Sequence, residues 1–182
     1  TPNFSQTGGT LSGAGSLNVS SSFAKSGGSL ALTGLINIAQ AAGALTIVNN
    51  APLTLGALST SSGNILIDTS GGIFTTASPV SANGGSLSFV SHSPIVVGSG
   101  GVNATGGISL TANETAADST ITLNGPLASS GGAVNIAAYG NVTQNAAIQG
   151  QSISVASTSG NNPKIKANDV IRIGLRRARS EE

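Results

Sequence analysis

The chain has 182 residues, of which 38% are hydrophobic and 7% are charged, and its formal net charge is +1. Disordered chains combine low hydrophobicity with high net charge, so this composition argues against disorder. Cysteine is absent, which excludes a disulfide framework and a thiolate metal site. No apolar run approaches the roughly 20 residues of a membrane-spanning helix. The apolar residues are mostly Leu, Ile and Val in short clusters, which favours short β-strands.

A Gly followed by an alternating apolar strand recurs along the chain. A degenerate copy begins at Gln151, and from Gly43 onward the anchors follow one another at a near-constant spacing. Regular self-similarity of this kind indicates a repeat architecture. The anchors are Gly28, Gly43, Gly63, Gly85, Gly107 and Gly132.

Each anchored strand is followed by two further apolar segments. Four of the second strands begin ten residues after their anchor, and the one after Gly107 begins later because extra residues fall in the segment 113–119. Three short strands in about 20–22 residues form one coil of a three-sided β-solenoid, whose coils bury their apolar face only by stacking. We therefore expect an all-β parallel β-helix of about seven or eight coils. The second strands begin at Leu53, Ile73, Ile95, Ile121 and Val142, and the third at Leu58, Val80, Val102, Leu127 and Ile148.

Glycine pairs stand where the corners between strands are expected. Glycine adopts a positive φ without steric cost, and we predict that conformation at these corners. None of the segments that follow has helical periodicity, which argues against a phosphate-binding loop. The pairs are 27–28, 71–72, 84–85, 100–101, 106–107 and 131–132.

The segment from Phe4 to Val19, FSQTGGTLSGAGSLNV, resembles the degenerate coils of filamentous-haemagglutinin-like proteins, which are large exoproteins and adhesins of Gram-negative bacteria. The segment SGGAVNI at residues 130–136 is similar to other coils of that family. The resemblance covers about residues 3–157 and implies a right-handed parallel β-helix, two-partner secretion and a role in adhesion or surface fibres. The chain is much shorter than such proteins usually are, so we expect a fragment, a processed piece or a small relative.

Acidic residues are too few for the acid–base chemistry of a solenoid polysaccharide lyase or hydrolase. The chain up to Pro163 contains only Asp68, Glu114 and Asp118, with Lys25 as the one cationic side chain. We therefore expect no enzymatic activity and no cofactor, and the lyase remains a second alternative. A silent activity screen on uronic-acid polymers with Ca²⁺ would dispose of it. A solvated loop is the favoured interpretation of residues 113–119, with Asn113, Glu114 and Asp118 as a weak Ca²⁺ candidate.

Two further kinds of polar residue invite a functional interpretation. His92 has no neighbour in sequence that would complete a metal site or a catalytic triad, so we expect a surface or turn histidine. Five sequons of the form Asn-X-Ser/Thr are candidate glycosylation sites, although chance explains them in a chain so rich in these residues. The sequons begin at Asn3, Asn18, Asn103, Asn113 and Asn141.

The end of the chain, from Lys164 to Glu182, carries a net charge of +3 from six basic and three acidic side chains, whereas the chain before it carries −2. We predict a solenoid domain over residues 1–157 and a charged tail over 158–182. No aromatic residue accompanies the basic charges, so nucleic-acid binding is not expected, and no membrane insertion is expected either. The tail contains an alternating strand that either caps its own last coil or adds a strand to a neighbouring subunit. Its self-association candidates are Val170, Ile171, Ile173 and Leu175.

The favoured hypothesis is a secreted, non-enzymatic rod at the bacterial cell surface that acts as a spacer and an adhesive surface. Its partners would be a longer parent chain or a host or matrix glycan or protein. The alternative hypothesis is a subunit that stacks end to end, with itself as partner, into an extracellular filament. Negative-stain microscopy would separate the two, since the filament hypothesis requires fibres one subunit wide.

Overall fold

The computed structural model describes residues 1–113 and 118–159 and, for the backbone alone, residues 170–171. Every regular element in these residues is a β-strand, and every strand pair is parallel. The strands form a β-solenoid of about seven coils, as the repeat predicts. The strands of coils 1 to 4 are β1 (Asn3–Gln6), β2 (Thr10–Gly13), β3 (Leu17–Val19), β4 (Ser22–Lys25), β5 (Ser29–Leu32), β6 (Ile36–Gln40), β7 (Leu45–Asn49), β8 (Leu53–Thr60), β9 (Ile65–Thr69), β10 (Ile73–Thr75) and β11 (Val80–Ala82).

The later coils repeat the same order of three strands, and an eighth coil begins after β20. Coil 3 is the exception, because β8 serves as both its second and its third strand. The remaining strands are β12 (Leu87–Ser91), β13 (Ile95–Val97), β14 (Val102–Ala104), β15 (Ile108–Ala112), β16 (Ile121–Leu123), β17 (Leu127–Ser129), β18 (Val134–Ala138), β19 (Val142–Gln144), β20 (Ile148–Gly150), β21 (Ile153–Ser157) and β22 (Val170–Ile171).

The in-register stacking of alternating strands builds the core. Along the first face, Leu45, Ile65 and Leu87 occupy equivalent positions on successive coils, and each is at most 1% exposed. Each residue between two such positions points outward, because side chains alternate across a strand. Full burial of an aliphatic side chain stabilises a fold by about 1.5–3 kcal/mol, so the interior columns hold the coils together.

One of the glycine-anchored strands lies on a different face of the solenoid from the face that the repeat predicts. The repeat predicts that the strand after Gly28 is equivalent to those after Gly43 and Gly63, yet β5 pairs with β2 on the second face. The first-face strand of coil 2 is β4, whose inward residue Phe23 stacks on Phe4 with ring centroids 5.2 Å apart. A segment Gly-Ser-Leu-Ala-Leu satisfies the alternation of either face, so the pattern alone does not determine the face.

The prediction of positive φ at the glycine pairs is correct only for Gly28 (φ 73°) and Gly101 (φ 73°). The other pairs allow close contact between coils instead. A Cβ atom on Gly132 would lie 2.5 Å from the backbone nitrogen of Gly107 on the preceding coil. These corners need glycine because another backbone occupies the space that a side chain would take.

One boundary between coils differs from the others. All other consecutive pairs among coils 1 to 7 are joined by backbone ladders on three faces, as coils 4 and 5 are through β9–β12, β10–β13 and β11–β14. Between coils 2 and 3 only β6 and β8 pair, and their register shifts between Ile36 and Ile38. We call this boundary, between the strands β4, β5 and β6 and the strands β7 and β8, the coil 2–3 seam.

Candidate functional site

The outer surface of the solenoid consists of columns of small, mostly uncharged side chains. The register aligns one outward residue of each coil with its equivalent on the next, which produces flat ladders of hydroxyl, amide and methyl groups. Such a surface offers many weak hydrogen-bonding positions. One first-face column contains Thr46, Leu66, Ser88, Ser109, Asn135 and Ser154, and the third-face column contains Ser59, Ser81, Asn103, Ala128 and Gln149.

Apolar side chains interrupt these columns at a few outward positions. On the second face the half-buried Phe74 lies between Thr54 and Val96 on the adjacent coils. On the first face Val48 is 57% exposed. Single exposed apolar residues are normal on protein surfaces, so these positions do not define a binding patch.

Titratable side chains are dispersed along the rod. Lys25 lies on coil 2, Asp68 on coil 4, His92 at the corner after β12 and Asp118 in the loop before β16. Within residues 1–113 and 118–159, no three His, Cys, Asp or Glu side chains group closely enough to hold a metal ion. The two aspartates among the described residues are also separated, because Asp68 lies on coil 4 and Asp118 lies between β15 and β16 of coil 6.

Lys25 makes two polar contacts with backbone carbonyl groups. Its ammonium donates hydrogen bonds to the carbonyl oxygens of Gly28 (2.7 Å) and Val48 (2.6 Å), and the second bond crosses the coil 2–3 seam. Partial burial lowers the pKa of this ammonium below its ordinary value, because desolvation disfavours the charged form. A groove of about 470 Å³ runs beside it, lined by Lys25, Ser26, Gly27, Gly28, Val48, Asn49 and Asn50.

The structure places two of the three Ca²⁺ candidates, and both are exposed. Asn113 directly follows β15 and donates its backbone N–H to the carbonyl oxygen of Ser91 (3.0 Å), and Asp118 lies in a turn closed by the N–H of Thr120 (2.7 Å). Glu114 lies outside the described residues. Two exposed side chains supply few of the six to eight oxygen ligands that Ca²⁺ takes, so the site stays a weak prediction.

His92 is exposed, as expected from its isolation in the sequence. Its carbonyl oxygen accepts a long hydrogen bond of 3.5 Å from the hydroxyl of Ser119. That contact involves the backbone of the histidine, so it serves the corner between two coils rather than any chemistry of the imidazole.

All five sequon asparagines are exposed. Asn3, Asn18 and Asn103 are outward residues of β1, β3 and β14, whereas Asn113 and Asn141 adjoin strands. The side-chain oxygen of Asn18 accepts a hydrogen bond from the amide of Asn37 (2.8 Å). Exposure is a requirement for glycosylation and does not demonstrate it, so modification stays a prediction.

Two of the four self-association candidates form a strand on their own chain. Val170 and Ile171 constitute β22, which pairs with Gln149 and Gly150 of β20 and extends the third face by one strand. Ile173 and Leu175 lie outside the described residues. This pairing is the one expected when the tail covers its own last coil, and it leaves the exchange of a strand with a neighbour as a proposal.

The sequence reasoning missed a set of polar residues that point inward at the corners. Ser91, for example, is 0% exposed, and its hydroxyl lies within hydrogen-bond distance of two carbonyl oxygens, those of Gly71 (2.6 Å) and Ser93 (2.8 Å). Such side chains satisfy buried carbonyl groups where the chain turns and the ladder hydrogen bonds end. The signal was present in β7, β9 and β12, where a polar residue occupies a third inward position after two apolar ones. Members of the set are Gln6, Asn49, Thr60, Thr69, Ser91 and Ser129.

No family model, no curated protein and no solved structure matches this chain. Within the described part of the chain, no helix is long and apolar enough to cross a membrane. The likeness to filamentous-haemagglutinin-like coils therefore stays a prediction, which depends on the residues quoted for it. The structure shows a β-solenoid fold.

Proposed function

We propose that this chain is a non-enzymatic, secreted bacterial surface protein whose β-solenoid acts as a spacer and an adhesive contact surface. One observation carries the proposal: the outward columns repeat small neutral side chains from coil to coil, while the few charged residues lie far apart. A flat, repeated surface of hydroxyl and amide groups suits many weak contacts with a glycan or an extended protein. It does not suit the enclosed, convergent site that catalysis requires.

The wide separation of the charged residues also supports binding through neutral groups. Asp68 is the outward residue between Val48 and Val90 in its column, so its nearest outward neighbours are apolar. An isolated surface charge contributes little binding energy, because water and salt screen it. Adhesion by this rod would therefore depend on the repeated neutral columns and on avidity between several rods.

The test is adhesion by cells that display the rod. The chain is presented on a non-adherent bacterial cell, and binding to immobilised matrix proteins and glycans is measured. A variant carrying Ser88→Lys, Ser109→Lys and Asn135→Lys changes three adjacent outward residues of one first-face column and leaves the core intact. We expect the wild type to bind, and we expect this variant, or one with the same change on another outward column, to lose binding. Absence of binding, or binding that no face variant changes, would contradict the proposal.

The alternative function, an end-to-end filament subunit, is favoured by the first and last described coils. Ile153 and Val155 of β21 are only partly buried, whereas their register partners Val134 and Ile136 on the previous coil are at most 1% exposed. Phe4 on coil 1 is also only partly buried. Partly exposed interior residues and strand edges favour pairing with another copy, which in a head-to-tail arrangement produces an open filament. Short monodisperse rods in negative-stain images would remove this alternative.

A further inference from the structure

The coil 2–3 seam lacks the backbone ladders that join the other coils. On the first face the ladder ends at β4, and on the second face it ends at β5. Since the N–H and C=O groups of a strand alternate in direction, those of Thr46 and Val48 point across the seam towards coil 2. On the opposite side of the seam, the backbone N–H and C=O groups of Phe23 and Leu30 point towards coil 3. Two of the three faces therefore have no strand pairing at this boundary.

Side chains take the place of the ladders at the seam. The side-chain oxygen of Gln40, which lies on the same side of the seam, accepts the backbone N–H of Phe23 (2.8 Å). The amide of Asn49 accepts from the N–H of Leu30 (2.8 Å) and donates to its carbonyl oxygen (2.9 Å), as a neighbouring strand would. The Lys25 ammonium reaches the carbonyl oxygen of Val48 (2.6 Å). These contacts immobilise long side chains, which costs conformational entropy that a backbone ladder does not add.

The one face that remains paired at the seam is itself irregular. Asn37 of β6 stands opposite two residues of β8, Gly56 and Ala57, and the side-chain oxygen of Asn37 accepts the N–H of Ala57 (2.9 Å). An extra residue of this kind is a β-bulge, which locally disrupts the ladder and bends the strand. The third face therefore connects the two sides of the seam through a strand pair that is already bent.

Coils 1 and 2 are joined to each other by more strand pairs than join coil 2 to coil 3. All three of their faces pair in register, through β1–β4, β2–β5 and β3–β6. In a solenoid, stability is close to a sum of terms from each repeat and from each interface between neighbours. Local opening takes place at the weakest interface, and the segment beyond it moves as one cooperative unit.

We propose that residues 1–40 open from the rest of the solenoid as one unit at the coil 2–3 seam, with the β6–β8 pair as the hinge. Opening separates Asn49 from Leu30 and Lys25 from Val48, and it uncovers the strand edge of β7 and the start of β8, which β6 does not pair. The proposal depends on the pairing of the strands and is independent of the proposed adhesive function.

Hydrogen exchange of the full-length chain, read by mass spectrometry of peptides, tests the proposal. We expect peptides within residues 1–33 to share one level of protection and peptides within residues 65–138 to share a higher one, with a step at the seam. Fraying from an end gives a different pattern, because protection then rises coil by coil from the terminus. A gradual rise, or equal protection on both sides of the seam, would overturn the proposal.

The variant Asn49→Leu assigns the step to the seam. It removes both hydrogen bonds to Leu30 and leaves a buried backbone donor and acceptor without partners, so exchange throughout residues 1–33 should accelerate about 10- to 100-fold. Exchange within residues 65–138 should stay within about twofold of the wild type, because the ladders of those coils are intact. Acceleration of equal size in both regions would count against the proposal.

Thr69→Val is the matched control, because Thr69 is in register with Asn49 in the same interior column. Its hydroxyl bonds to the carbonyl oxygen of Gly71, which also accepts from Ser91 (2.6 Å), and a five-residue ladder joins β7 and β9 beside it. This variant should leave the exchange of residues 1–33 unchanged. If it accelerated those residues as much as Asn49→Leu does, the seam would have no special role.

Discussion

The interior column of the first face predicts the cost of removing a large side chain. Phe89 is 0% exposed, and its register partners on the adjacent coils are Ile67 and Leu110. A five-residue ladder fixes each of these neighbours, so neither can move into the space that a truncated side chain leaves. Phe89→Ala should therefore reduce the free energy of unfolding by about 3–5 kcal/mol, the range for a buried Phe whose cavity does not collapse.

The assay is urea denaturation followed by circular dichroism in the β-sheet region. Val90→Ala is the matched control, since Val90 is the next residue of the same strand and points outward. That variant should cost less than about 1 kcal/mol. Should Phe89→Ala unfold the chain, Phe89→Leu keeps most of the volume and gives a measurable midpoint. Equal midpoint shifts for the Phe89 and Val90 variants would refute the assignment of inward and outward faces.

The corners and Lys25 provide three further predictions. Gly132→Ala should destabilise the fold by at least about 2 kcal/mol in urea denaturation, because its Cβ would meet the Gly107 backbone; Gly8→Ala, with open space around it, should have little effect. Ser91→Ala should reduce the free energy of unfolding, measured by urea denaturation, by about 1–3 kcal/mol, since buried carbonyl groups lose their donor. Burial lowers the pKa of Lys25 below 10.5, so the unfolded chain holds this proton to higher pH, and stability relative to Lys25→Met should rise as the pH increases towards 10.5. A pH-independent difference between these two proteins would contradict that assignment.

Much of the architecture could be predicted from the spacing of apolar residues. Second-face strands begin at Leu53, Ile73 and Ile95, as the constant offset from their anchors predicts, because one side of a coil has a fixed length. Ile121 also begins a second-face strand after its longer loop. Alternation determines which residues point inward, and stacking then follows from the need to bury them.

The coil 2–3 seam could not be predicted in the same way. Whether β4 pairs with β7 depends on the relative positions of two coils, which the spacing of apolar residues does not determine. The sequence does contain the substitutes, Gln40 and Asn49, but these residues look like ordinary turn residues until the missing ladder is known. The Gly28 anchor was assigned to the wrong face for a related reason, since an alternating pattern fits any face of the coil.

The candidate functional surface was predictable in composition and less so in arrangement. The scarcity of charge is visible in the sequence and leads directly to the proposal of a neutral rod. The inward polar corner residues, such as Thr69 and Ser129, were not recognised, because a buried hydroxyl and an exposed one look alike in a chain so rich in Ser and Thr. Their partners are backbone carbonyl groups whose positions only the fold determines.

Distances between coils test the central claim, a single parallel stack in register, most directly. The chain has no cysteine, so spin labels on cysteines introduced at Thr46 and at Ser109, Asn135 or Ser154 report one pair at a time. These positions lie in one outward column, three, four and five coils from Thr46. At about 4.8 Å per coil, the backbone separations of the three pairs are near 14, 19 and 24 Å. The distances between the labels, measured by electron paramagnetic resonance, should therefore increase in equal steps. Unequal steps, or a Thr46–Asn135 distance no longer than Thr46–Ser109, would contradict the solenoid and the surface function that depends on it.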